Sequence, residues 1–276
     1  LKYFISYTPA YTYSEPLEEL GEELCRITPG NYDKRVVYGL TGSDANDGMI
    51  KLARAYTGRK KIISFIGAYH GSTCGAISLS AISANMRRKI GPLLPDIEHI
   101  RYPDCYRCIF QQEVESCNLE CMKEFKTSLE SYIPADEVAA VVIEPIAGDC
   151  GLIVPPQKYI KELYSICKEN GILFVSEEVQ QGFGRTGKYF AIEHFDIIPD
   201  MLILGKSMAS GLPLSAIVAR REITESLKPP AHVFTMSGNA MSCKAALETV
   251  KIIEEENLIE KSKNLGIYLK ERFEEM

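Results

Sequence analysis

Ile172-Leu173-Phe174-Val175-Ser176-Glu177-Glu178-Val179-Gln180 and Met201-Leu202-Ile203-Leu204-Gly205-Lys206 are two apolar runs that end on reactive side chains. Four apolar residues bounded by small or polar ones read as a buried strand. The second run exits into a small-residue turn, Ser207-Met208-Ala209-Ser210-Gly211-Leu212-Pro213. Working outward, Val138 to Ile143 reads as another buried strand, closed by Glu144-Pro145. Lys61-Ile62-Ile63-Ser64-Phe65 and Val36-Val37-Tyr38-Gly39-Leu40 read as two more. Helical patterns separate them. Leu17, Leu20, Leu24 and Ile27 share one face, and Pro29-Gly30-Asn31 ends that helix. Helices are also predicted over 44–56, stopped by Thr57-Gly58, and over 157–169. Alternating strands and helices predict an α/β sheet of mostly parallel strands flanked by helices. Ligands gather at the carboxyl ends of such strands. Lys206 and Glu177 therefore arrive at one edge: an amine suited to a Schiff base, and an acid suited to holding a ring nitrogen protonated. The plain alternative for Lys206 is a solvated loop lysine.

Composition narrows the classes. With 46% apolar content, the 276 residues suffice for one large core, or a large domain with a small one. The net charge of −6 is scattered, with no basic stripe for nucleic acid or an anionic membrane. No apolar stretch reaches membrane-spanning length. Leu1-Lys2-Tyr3-Phe4-Ile5 lacks the pattern of a signal peptide, so a cytoplasmic location is expected.

Several motifs, in order, carry a family resemblance. They are Gly42-Ser43-Asp44-Ala45-Asn46 with Lys51-Leu52-Ala53-Arg54; Ala68-Tyr69-His70-Gly71; Glu144-Pro145-Ile146 with Gly148; and Glu178-Val179-Gln180 with Gly182-Phe183-Gly184-Arg185-Thr186-Gly187. Gly205-Lys206, Gly211-Leu212-Pro213, and Thr235 with Gly238-Asn239-Ala240 complete the set. Over most of residues 17–275 the chain resembles the class III aminotransferases, the subgroup of fold-type I pyridoxal phosphate (PLP) enzymes that includes 4-aminobutyrate and ornithine aminotransferases. The resemblance implies a fold-type I PLP transferase, with a large PLP-binding domain over 17–240. Residues 241–276 would start a smaller helical domain, and 1–16 would be the remnant of an N-terminal segment. Family members are longer, so a central portion of the fold is expected.

The resemblance also implies roles. Lys206 would form the Schiff base and move the proton. Glu177 would pair with the ring nitrogen, although the family usually has aspartate there. Gly42 and Ser43 would cradle the phosphate, while Ser43 is equally a plain N-cap. Tyr69 would stack on one ring face and Val179 press the other; the alternative for Tyr69 is a core aromatic. Gln180 would bond the ring oxygen. Thr235 would reach the partner subunit's cofactor in a homodimer with shared sites. His70 would orient its neighbours. Glu144 would bind a substrate group or form a structural ion pair. The implied reaction moves an amino group from an ω-amine or amino acid, 4-aminobutyrate-like, to a 2-oxo acid. An alternative is amino-acid racemisation or epimerisation, as in relatives that residues 209–216 and Pro229-Pro230-Ala231-His232 also resemble.

Readings from other classes stay open. Gly182 to Lys188 matches P-loop spacing until Tyr189 replaces the magnesium-binding hydroxyl, so a nucleotide hydrolase is the competing reading. A non-catalytic remnant of the fold is another. No catalytic metal is expected. Cys105, Cys108, Cys117 and Cys121, four of nine cysteines, are weak candidates for zinc or an iron–sulfur cluster, against two disulfides or four reduced thiols.

Overall fold

The computed structural model describes residue 8 and residues 11–276. The expectations for Leu1 to Ile5, and for most of the 1–16 segment, lie outside the described residues. Seven strands form one sheet: β1 Lys34–Gly39, β2 Lys61–Ile66, β3 Ile97–Arg101, β4 Val138–Ile143, β5 Leu173–Glu177, β6 Met201–Leu204 and β7 Ser215–Arg220. Their order is β1-β7-β6-β5-β4-β2-β3. β7 runs antiparallel to both β1 and β6, and the other recorded pairs are parallel. The helices are α1 Glu15–Ile27, α2 Gly42–Thr57, α3 Cys74–Leu79, α4 Ala84–Arg87, α5 Glu120–Ser131, α6 Gln157–Glu169, α7 Arg221–Thr224, α8 Ala240–Glu255 and α9 Leu258–Glu274.

The predicted alternation holds, and its cause is visible in burial. Every residue of β4, β5 and β6 is buried, as expected when helices cover both faces of a parallel sheet. One apolar cluster, around Phe65, Tyr159, Phe174 and Leu204, takes α1, α5, α6 and α8. The other, around Met49, Leu52, Val142 and Ile203, takes α2. Leu20 and Leu24 are fully buried on α1, each worth about 2 kcal/mol of burial.

Two expectations need correction. Thr41, not Ser43, caps α2: its hydroxyl accepts from the Asp44 N–H, and the Asp44 carboxylate accepts from the Leu40 and Thr41 N–H groups. The run from Ala240 forms α8, which packs on α1 and buries Cys243, Ala246 and Val250. The P-loop reading fails because no α-helix follows the glycine turn, only the short 3-10 turn Ala191–Phe195. Residues 179–189 are turns and bends, Gly184 and Gly187 lie against Ile259 and Lys263 of α9, and Ser262 Oγ donates to the Arg185 carbonyl.

Asp200 ties the opposite edge of the sheet together. It is 3% exposed, meets Lys168 Nζ at 2.7 Å and Arg220 at 3.2 Å, and accepts from the Phe174 N–H at 2.8 Å. Removing a buried member of such a network strands its partners. Asp200→Ala is therefore expected to lose about 3 kcal/mol of stability, and Asp200→Asn less, as read from urea denaturation.

Candidate functional site

The carboxyl ends of five strands, β1, β2, β4, β5 and β6, meet at one sheet edge. Each delivers a loop: Thr41-Gly42-Ser43 after β1, Ala68 to Gly71 after β2, Glu144 to Gly148 after β4, Glu177 to Gln180 at the end of β5, and Gly205-Lys206 after β6. Parallel strands force this convergence, because all five end at the same edge.

Close backbone approach joins three of the loops. Val179 is buried, and a Cβ on Gly42 would sit 3.0 Å from its side chain. A Cβ on Gly205 would sit 3.3 Å from Val179 and 3.7 Å from the Gly42 nitrogen. Both positions need glycine for contact, although the Gly205 backbone itself is extended. Asn46, buried on α2, locks the next loop by donating to the carbonyls of Gly42 at 3.1 Å and His70 at 2.8 Å. The bridging role of Asn46 had no signal beyond its place in the Gly42–Asn46 motif. Ser43 Oγ accepts from the Ser72 N–H at 3.0 Å, so Ser43 holds a loop rather than capping its own helix.

Glu144 and Glu177 are both buried, at 4% and 3% exposure. Glu144 accepts from the Tyr69 N–H at 2.9 Å and from the Gly148 N–H at 2.6 Å. It is thus held by backbone, and the ion-pair alternative gives way to two amide hydrogen bonds that tie the β2 and β4 loops. His70 is buried, with neither ring nitrogen partnered. One ligand atom from each of His70, Glu144 and Glu177 lies within 4.8 Å of the others. Burial pushes the imidazole down to about 3. Burial also raises Glu177 well above the carboxylate range, with Glu144 adding to the shift and Lys206 opposing it. Glu144 rises chiefly by burial, against its two backbone donors. Lys206 is the positive charge that acts on both carboxylates.

Lys206 has φ of 44°, an uncommon left-handed conformation for lysine. It is exposed, and its Nζ donates to Gln180 Oε1 at 3.3 Å. Gln180 packs against Gly148. Tyr69 is half-buried, its hydroxyl 3.1 Å from Ser72 Oγ, so it is not a core aromatic. Glu178 turns to the other face, as strand alternation predicts. It accepts from the Ala191 and Ile192 N–H groups and from Ser176 Oγ, and burial pushes it up to about 7. Thr235 is exposed in a turn over 235–238. Cys105, Cys108 and Cys117 lie in the irregular segment 102–119 that follows β3, and Cys121 in the first turn of α5. None of the cysteines is in a disulfide.

The aminotransferase class-III family model matches residues 3–276. The chain is 52% identical to an isoleucine 2-epimerase of Lentilactobacillus buchneri, over 99% of this chain and 61% of the relative. It is 45% identical to a leucine/methionine racemase of Thermococcus litoralis, with the same coverage. A probable 4-aminobutyrate aminotransferase of Bacillus subtilis is 36% identical over 92% of this chain and 58% of the relative. Among solved structures, an amine transaminase from an uncultivated Pseudomonas species in its PLP-bound form matches 96% of this chain and 63% of its own, at 26% identity and a TM-score of 0.88. The chain thus spans about three fifths of the length of these relatives. The cofactor is PLP, and the residues present fit it. A helix N-terminus and a glycine lie where a phosphate needs N–H groups and room. A lysine amine, Lys206, lies at the same edge, with the buried carboxylates of Glu144 and Glu177 beside it.

The place of Lys206 at the convergence gives a direct test. Borohydride reduction of the PLP-loaded protein, followed by peptide mapping, is expected to place the pyridoxyl group on Lys206; recovery on Lys51 or Lys188 would reject the assignment.

Proposed function

The chain belongs to the class III aminotransferase family, and from that premise we propose that it is the cofactor-binding part of a PLP-dependent racemase or epimerase of aliphatic amino acids. The observation that carries this reading is the gradient of identity. Two relatives named for inverting amino acids stand well above a relative named for 4-aminobutyrate transfer, over nearly the whole chain. Amino transfer to a 2-oxo acid, to which the motifs first pointed, is the second reading, favoured by that aminotransferase and by the family as a whole.

Both reactions use the same edge. PLP, when bound, withdraws electrons from the amino-acid Cα and so acidifies its proton. Lys206 Nζ would hold the cofactor at rest and, once free, would move the Cα proton. Gln180, bonded to Nζ, would steer that amine and bond the ring oxygen. Glu177 would pair with the ring nitrogen. Glutamate here in place of aspartate lengthens the arm by one methylene. Glu144 fixes the Tyr69 loop, which would let Tyr69 and Val179 flank the ring. Gly42, Ser43 and the α2 N-terminus would receive the phosphate, joined by Thr235 from a second copy in a homodimer. Racemisation would return a proton to Cα and leave the amino group in place, whereas transfer passes the amino group to a 2-oxo acid.

Incubating the full-length protein with single enantiomers of leucine, isoleucine or methionine in deuterated water, with and without 2-oxoglutarate, separates the readings. Inversion with deuterium at Cα in the absence of acceptor is expected; a strict need for 2-oxoglutarate would transfer the assignment to amino transfer. Glu177→Gln is expected to keep the cofactor yet slow Cα exchange by roughly 100-fold or more, and Glu177→Asp to lose much less. An unchanged rate in the Gln variant would remove Glu177 from the ring-nitrogen role.

A further inference from the structure

Five cysteines that the PLP site does not use line one cavity, four from the segment after β3 and the start of α5, and Cys150 from the loop after β4. Cys105, Cys108, Cys117 and Cys121 all line a space of about 310 Å³ between the irregular segment 102–119, the start of α5 and the residues after β2. All four are half-buried free thiols. The Leu119 N–H donates to Cys117 Sγ at 3.3 Å, a bond that favours thiolate over thiol. Arg101, Arg107 and Lys158 line the same cavity, against Asp104 and Glu120, so the lining is suited to excess negative charge on sulfur.

We propose that Cys105, Cys108, Cys117 and Cys121 bind one thiolate-preferring divalent cation of the zinc type. The spacing, a pair two residues apart and a pair three apart, is that of tetrahedral four-thiol sites. Binding replaces four S–H bonds by four metal–sulfur bonds and releases four protons to solvent. The bound group then carries two net negative charges, which the two arginines and the lysine offset. No three of these sulfurs lie within 4.8 Å of one another, so the segment closes as the ion binds. Closure is cheap, because 102–119 contains no helix or strand whose hydrogen bonds would break.

The site would also steady the neighbouring chemistry. Tyr102 lines the cavity, and its hydroxyl donates to the carbonyls of Glu144 at 2.9 Å and Pro145 at 3.3 Å. Pinning the segment that begins at Tyr102 would hold the loop that carries Glu144.

The test uses the full-length protein, reduced and desalted without oxygen, with Zn²⁺ alone as probe. Expected are about one retained zinc per chain, about four protons released, and about four fewer thiols open to a disulfide reagent than before loading. Co²⁺ in its place should give the charge-transfer and visible bands of tetrahedral thiolate coordination. The double variant Cys105→Ser, Cys117→Ser should retain no zinc, and Cys74→Ser, outside the cavity, should retain it fully. If the double variant fails to fold, the thiol-protection count on the unaltered protein decides. No zinc after desalting, unchanged zinc in the double variant, protection of cysteines outside this cavity, disulfides among the four, or an iron–sulfur spectrum in the purified protein would each overturn the proposal.

Discussion

Two carboxylates buried at one sheet edge set the terms for everything around them. Burying an acid without a partner is expensive, so either the charge or the burial must be compensated. Glu144 is compensated by backbone: two amide N–H groups, from Tyr69 and Gly148, close on its oxygens and join the β2 and β4 loops. Glu177 has less. Burial and Glu144 hold it towards the neutral form, and His70 beside it is too deeply buried to carry the balancing proton. Lys206 opposes both shifts, so the amine and the two acids are electrostatically linked at this edge.

The neighbouring residue shows how finely the backbone sorts these roles. Glu178 differs from Glu177 by one position, and on an extended strand one position reverses the face. Glu178 is spent on structure, accepting from two N–H groups at the start of the 3-10 turn Ala191–Phe195 and from Ser176. Asp200 does similar work at the other end of β5, where Lys168 and Arg220 supply charge. Structural acids here are saturated with donors. Glu177 has fewer: a backbone donor at Val179 and no side-chain donor among the described residues.

The proposed activity makes modest demands on this part of the molecule. Transfer and inversion both need a labile Cα proton, one mobile amine and a ring held between two side chains. The edge formed by Lys206, Gln180, Val179 and Tyr69 has the parts for either. What distinguishes the outcomes is whether a second substrate collects the amino group, which is a matter of substrate recognition more than of the proton's path.

Much of this was legible in the residues themselves. Apolar runs bounded by small residues located the buried strands, and α6 and β4 were placed to the residue, because burial on both sheet faces leaves unbroken apolar sequence. The local order of the motifs gave the family. Tertiary structure decided what depends on contacts distant in sequence: that Thr41 rather than Ser43 caps α2, that α8 returns to α1, that Glu144 meets Tyr69 across 75 positions, and that His70 stands unpartnered between two acids. A sequence states which groups a strand end presents. Only the packed sheet determines which of them share a low-dielectric space, and there charge and hydrogen bonding must be settled jointly.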